Sequence, residues 1–211
     1  MVHELGHIST AIYYRWHIEK VILLPFGGLT IFNEKINRPL KEEFMVLIMG
    51  PVFQMLGTII FCGFSKDFLV ADYSKMILAF NLLPIYPLDG AKLLNIILNK
   101  FTSFKRAHVS TIYVSLFTIC AVLFSVNFNL LLVLIFIFLF IKVTDEYKKR
   151  KHIFNVFLLE RYFNDFNFRK EKVVSNISKM KRDCRHLFKC NGKYLTERDV
   201  LNKMFDSKRK L

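Results

Sequence analysis

The chain has 211 residues, 53% hydrophobic and 15% aromatic, and a net charge of +14. So much apolar material argues against a purely soluble domain. The charge is uneven: residues 148–211 hold 19 Lys or Arg against 7 Asp or Glu, so +12 of the excess lies there. This layout predicts a membrane-embedded part, residues 1–147, followed by a basic soluble tail, residues 148–211. No nucleic-acid recognition motif accompanies the charge, so nucleic acid is not expected as a partner. Cys62 and Cys120 lie in apolar stretches, and Cys184 and Cys190 flank His186 at a spacing that matches no common zinc pattern. Inert, reduced thiols are expected.

Residues 1 to about 16 read as a helix, followed by an aromatic and basic interfacial anchor, Arg15-Trp16-His17. The helix opens with His3-Glu4-Leu5-Gly6-His7. Helical positions i and i+4 share a face, so His3 and His7 can offer two imidazole nitrogens to one Zn²⁺. Glu4 can then serve as general acid/base for a water at the metal. A hydrolytic zinc site needs a third protein ligand and an open fourth position. The helix is shorter than the roughly 20 residues a bilayer crossing takes, and its first turn, which carries His3, would fray.

Residues 18–34 are rich in β-branched and aromatic residues, with Phe26-Gly27-Gly28-Leu29 as the expected turn of a β-hairpin. Pro39-Leu40-Lys41-Glu42-Glu43 starts a helix, with acids in the turn where the dipole favours them. Residues 44–64 are uncharged and long enough to span. Gly50, Gly57 and Thr58 could admit a neighbouring helix closely. Gln54 places an amide in this span, either lining a cavity or bonding another helix.

Residues 70–98 form the next apolar segment, interrupted by Asn81-Leu82-Leu83-Pro84-Ile85-Tyr86-Pro87-Leu88-Asp89-Gly90. Prolines forbid regular helix there, and unwound backbone at membrane depth is tolerated only against protein or a wet cavity. A carboxylate at such depth is costly and marks Asp89 as the candidate third ligand. Residues 107–125 and 128–142 are two further apolar helices. Phe157 to Tyr162 reads as an amphipathic helix leaving the membrane, and residues 173–205 as βα elements of a small domain. Lys20, Lys35, Arg38 and Lys41, then Lys100, Lys105 and Arg106, then the tail, fall on one side of these spans. The positive-inside rule puts that side in the cytosol, with Asp89 and His7 at similar depth in the cytosolic half. The basic excess could also meet anionic lipid headgroups.

These residues carry a resemblance to the site-2 proteases, intramembrane zinc metalloproteases that pair H-E-x-x-H on one transmembrane helix with N-x-x-P-x-x-x-L-D-G on another. Leu24-Pro25-Phe26-Gly27-Gly28, Pro39 to Phe44 and Gly50-Pro51-x-x-Gln54 are similar to the sporulation branch of that family. The resemblance implies a mainly α fold: a polytopic transmembrane helical bundle with a short membrane-associated β-hairpin and a small α/β cytosolic tail. It implies one Zn²⁺ per chain held by His3, His7 and Asp89, with Glu4 catalytic. Asn81, Pro87, Gly27, Gly28 and Gln54 would position substrate, whose extended backbone could add to the hairpin edge. The implied substrate is a membrane-associated sigma-factor precursor cut near the cytosolic face, that is, regulated intramembrane proteolysis. The implied partners are inhibitory membrane proteins. That branch carries a nucleotide-sensing CBS-type domain where residues 173–205 lie; the piece is too short for a full CBS pair, which counts against ATP. In that branch a transmembrane helix precedes the motif helix. The chain is therefore expected to lack its first transmembrane helix, with Met1 an internal methionine taken as a start. The competing reading is a truncated, non-catalytic membrane protein that keeps the fold as scaffold or regulator.

Overall fold

The structure, a computed structural model, describes residues 2–24, 27–65, 68–125, 130–168, 170–190 and 193–209. It is mainly helical. Helix α1 (Val2–Tyr13) leads into an antiparallel pair, β1 (Ile18–Leu24) and β2 (Gly27–Phe32). Pairing runs to Leu24 opposite Gly27, so Gly27 and Gly28 lie in β2 rather than forming the turn expected of them. Pro25 and Phe26 lie outside the described residues.

Helix α2 (Leu40–Ser65) starts with Glu42 and Glu43 in its first turn. Helices α3 (Phe68–Asn81) and α4 (Asp89–Phe101) are separated by the proline-containing break at 82–88. Helix α5 (Phe104–Ser125) follows, and α6 (Leu130–Phe163) runs 34 residues without interruption. Sequence reading expected α6 to stop near residue 142. The charges from Lys142 onward end the apolar stretch, but Lys, Glu and Arg are good helix formers, so polarity changes while the helix continues. Among the described residues, two helices are long and apolar enough to cross a membrane, Leu40–Phe64 and Phe104–Phe124.

The α1–α2 crossing is set by two glycines. A Cβ on Gly6 would collide with the Met49 carbonyl and Phe53 Cβ, and one on Gly50 would collide with the His7 ring. Only hydrogen at both positions lets the backbones approach this closely. The break before α4 is anchored from α5. Ser115 Oγ lies 3.1 Å from the Tyr86 N–H that donates to it, and itself reaches the Pro84 carbonyl at 3.0 Å. Ile85 and Leu88 pack with Ile112, Ile119, Phe136, Leu139 and Val143 in one core. The segment delivering Asp89 is thus fixed on α5 and α6 by packing and by a serine that satisfies its backbone.

At the C-terminal end, β3 (Glu171–Val174) pairs parallel with β4 (Arg185–Cys190), which pairs antiparallel with β5 (Lys193–Thr196); α7 (Glu197–Arg209) follows. Phe157, Leu158, Met180, Phe188 and Leu201 share a core with Phe104 of α5. The tail also grips the segment that joins β2 to α2. Glu160 accepts from the N–H groups of Ile36 and Asn37 at 2.8 and 2.9 Å. Arg182 pairs with Glu43 at 2.7 Å and donates to the Arg38 carbonyl at 2.8 Å. Asp183 accepts from the Leu40 N–H at 3.2 Å, capping the start of α2.

Cys184 is buried and unpaired. Neighbouring His186 contributes no metal cluster among the described residues. It accepts at Nε2 from the Lys181 N–H at 3.0 Å and meets Glu197 at 3.2 Å.

Candidate metal and peptidase site

His3 and His7 stand one turn apart on α1, both buried. His3 Nε2 and His7 Nε2 are 3.0 Å apart, and each lies within 3.0 Å of Asp89 Oδ2. The three atoms form the described residues' one cluster of potential metal ligands. Donors bonded to zinc at about 2.0–2.1 Å in a tetrahedron stand a little over 3 Å apart, so the spacing suits that ion.

The outer partners determine which atoms carry protons. Gln54 Nε2 donates to the Ser74 carbonyl at 2.9 Å, which leaves Gln54 Oε1 facing His3 Nδ1 at 2.9 Å. An amide oxygen only accepts, so His3 carries its proton on Nδ1. His7 Nδ1 lies 2.8 Å from the Val46 carbonyl and must donate as well. With Nδ1 engaged as donor, each imidazole turns Nε2 toward the other ring and toward a carboxylate oxygen. In the neutral form of both rings three lone-pair atoms converge there, and a cation among them would be bound by all three. Two imidazoles and one carboxylate, each imidazole fixed by a second hydrogen bond, is the donor set and support that zinc takes.

Glu4 is buried beside this cluster. Thr30 on β2, itself buried, donates its hydroxyl to Glu4 Oε2. A cavity of about 10 Å³ is lined by Glu4, His7, Thr30, Asp89 and Lys92 among others. That is about the space one water needs. A larger cavity of about 430 Å³ reaches His3 and Glu4 between α1, α2 and α3. Glu4 borders both.

The structure thus brings His3, Glu4, His7 and Asp89 together. Gln54 stands behind His3 and also lines the larger cavity, so both alternatives read for its amide are met at once: it bonds another helix and it faces a cavity. Asn81 is buried at the end of α3 on the same cavity, and Pro87 is buried two residues before Asp89. Gly27 and Gly28 sit in β2 beyond Thr30. Thr30 and Lys92 were missed from sequence; Gly50 was read as a point of close helix approach, which the structure bears out, but not as the seat of the His7 ring. Lys92 carried a readable signal: a lysine in the first turn of a helix opposes the dipole and sits one turn from Asp89. Thr30 acts through a contact across 26 residues of chain that no local pattern announces; for Gly50 the sequence marks the close approach but not the residue met 43 positions away.

Gly50→Ala is expected to push the His7 ring off its position. A shift of about 1 Å at reacting groups costs on the order of 10²-fold in rate. Zinc content and peptide-bond cleavage should fall together in this variant, and retention of both at wild-type levels would refute the contact.

Comparison with known proteins follows the same residues. The model of Peptidase family M50 matches residues 1–71. Stage IV sporulation protein FB of Bacillus subtilis (strain 168) is 36% identical, over 99% of this chain and 82% of that one. Zinc metalloprotease MJ0392 of Methanocaldococcus jannaschii is 32% identical over 47% of this chain and 32% of that one. The solved structure of a site-2 protease from Methanocaldococcus jannaschii matches with a TM-score of 0.55 at 26% identity, covering 69% of this chain and 72% of that one. The chain belongs to peptidase family M50, the family of the site-2 proteases.

Proposed function

We propose that this chain is an intramembrane zinc metalloendopeptidase. One observation carries the reading: two imidazole Nε2 atoms and a carboxylate oxygen converge within 3.0 Å, with a buried glutamate beside them. His3, His7 and Asp89 hold Zn²⁺, which when bound supplies Lewis acidity and brings a water's proton loss near neutral pH. Glu4 takes the proton of the attacking water and returns it to the leaving amine. Thr30 fixes Glu4 Oε2, leaving Oε1 for that proton. Gln54 keeps His3 in its working tautomer, and Asn81 and the β1–β2 pair position the substrate backbone.

Residues 1–147 act as a polytopic membrane bundle, with the pair β1–β2 at the membrane, and residues 148–211 as its basic cytosolic part. The two apolar helices and the side-by-side basic segments support this orientation. Similarity to stage IV sporulation protein FB supports a role in sporulation, with a membrane-associated sigma-factor precursor cut near the cytosolic face and inhibitory membrane proteins as partners.

The test is co-expression of the chain with such a precursor in a host lacking both, beside Glu4→Gln. The variant is expected to keep its zinc and to lose cleavage by about 10²–10⁴-fold, the usual worth of general acid–base catalysis. Equal cleavage by both forms would assign the activity to the host and the chain to a non-catalytic role.

A further inference from the structure

We propose that Lys92 is a catalytic residue that stabilises the oxyanion of the tetrahedral intermediate; the inference rests on the peptidase reading above. Lys92 lies in the first turn of α4, one turn after Asp89. A cation there opposes the helix dipole, so local helix stability does not account for it. Its Nζ stands 3.5 Å from Asp89 Oδ1, the oxygen turned away from the two histidines. The two form an ion pair at the outer limit of a hydrogen bond, and an ammonium has three N–H donors, so others remain for a second oxygen. The side chain is 28% exposed and lines the 10 Å³ cavity with Glu4, His7 and Thr30. Among the cavity's described lining residues it is the one cation, against the carboxylates of Glu4 and Asp89.

The chemistry needs a positive group at this place. As water attacks the scissile carbonyl carbon, Glu4 takes the water's proton and the carbonyl π pair moves onto oxygen as a full negative charge. The Lys92 ammonium then donates N–H groups to that oxygen. When the pair returns to re-form the carbonyl, the C–N bond breaks and Glu4 delivers its proton to the amine. The products are a carboxylic acid and an amine, and Lys92 ends as it began. A fixed cation aimed where charge develops contributes mainly to kcat, since the neutral ground-state carbonyl gains little from it.

The rival role is structural: Lys92 would hold Asp89 in place for the metal. Lys92→Met and Lys92→Arg are compared with wild type and Glu4→Gln in the full chain, purified in detergent. Zinc per chain, cleavage of fluorogenic unfolded casein, and direct binding of a peptide phosphinate, an uncleavable anionic tetrahedral mimic, are measured. Lys92→Met is expected to keep its zinc, to lose about 10²–10³-fold in kcat with little change in KM, and to bind the phosphinate about 10²-fold more weakly. Lys92→Arg is expected to recover part of both. Zinc lost in step with cleavage would overturn the proposal in favour of the structural role. Unchanged phosphinate binding or unchanged kcat would overturn it outright. Wild type cleaving no faster than Glu4→Gln would bring down the peptidase reading, and this proposal with it.

Discussion

Asp89→Asn is expected to abolish zinc retention and cleavage while leaving the helices in place. Asparagine matches aspartate in size but offers a neutral amide where Oδ2 now faces two imidazole lone pairs 2.9 and 3.0 Å away. Losing even an outer partner of a metal ligand costs about 10–100-fold in affinity or activity, and Asp89 is proposed as a ligand itself, so a larger loss is expected. The fold has little reason to respond. The segment before Asp89 is fixed by Ser115 and by Ile85 and Leu88 in the core, none of which touches the carboxylate. Asparagine is also well tolerated at a helix start. Zinc per chain after dialysis, casein cleavage, and the thermal midpoint of metal-free protein check this together. Full zinc retention in the variant would remove Asp89 from the ligand set. A collapsed midpoint in the metal-free state would instead make it structural.

How much of this was legible in the sequence varies by element. His3 and His7 could be read because helical geometry fixes the relation of i to i+4 before any fold is known. Asp89 could be read because a carboxylate at membrane depth is costly; starting the following helix is its local alternative, and the pairing with the two histidines is what singles it out. Gln54 was readable only as a choice between two roles: the sequence shows an amide in an apolar helix, and only packing reveals His3 Nδ1 on one side of it and Ser74 on the other. The extent of α6 is not legible because the loss of apolar character at Lys142 marks a change of surroundings and not the end of the helix. Gly27 and Gly28 suggested a turn by composition; the pairing register carries them into the strand. The grip of the tail on residues 36–43 left no pattern at all, since Glu160, Arg161, Arg182 and Asp183 look like ordinary members of a basic, solvated segment.

Arg161→Met is expected to cost the tail about 3–5 kcal/mol, the usual price of leaving the partner of a buried ion pair alone. Arg161 is 7% exposed and directs its donors to four residues in three segments of the chain. Nε donates to Asn37 Oδ1 at 2.7 Å; Nη1 to the Cys184 carbonyl and to Glu197 Oε1, both at 2.9 Å; and Nη2 to the Lys181 carbonyl at 2.8 Å. The guanidinium also lies over the Phe157 and Phe168 rings, 4.8 and 4.6 Å from their centroids. Methionine replaces the stem but strands the Glu197 carboxylate and two carbonyls. Lysine cannot reproduce the planar fork and should recover little. Amide hydrogen exchange over β4 and α7 should accelerate in both variants, and trypsin should open the tail faster. Acid supplies a second readout with a definite sign. Burial alone would raise the Glu197 carboxyl, but the hydrogen bond from His186 and the Arg161 charge outweigh it and hold it below the ordinary value of 4.5. A carboxyl lowered in the folded state stabilises it above the unfolded value, and that contribution drains away as pH falls from about 4.5 through the folded value. Wild-type tail protection should therefore weaken below about pH 4.5, and Arg161→Met should show a smaller acid step because much of what acid removes is already gone. Equal acid steps in the two proteins would assign the holding of Glu197 to His186 and refute the part given to Arg161.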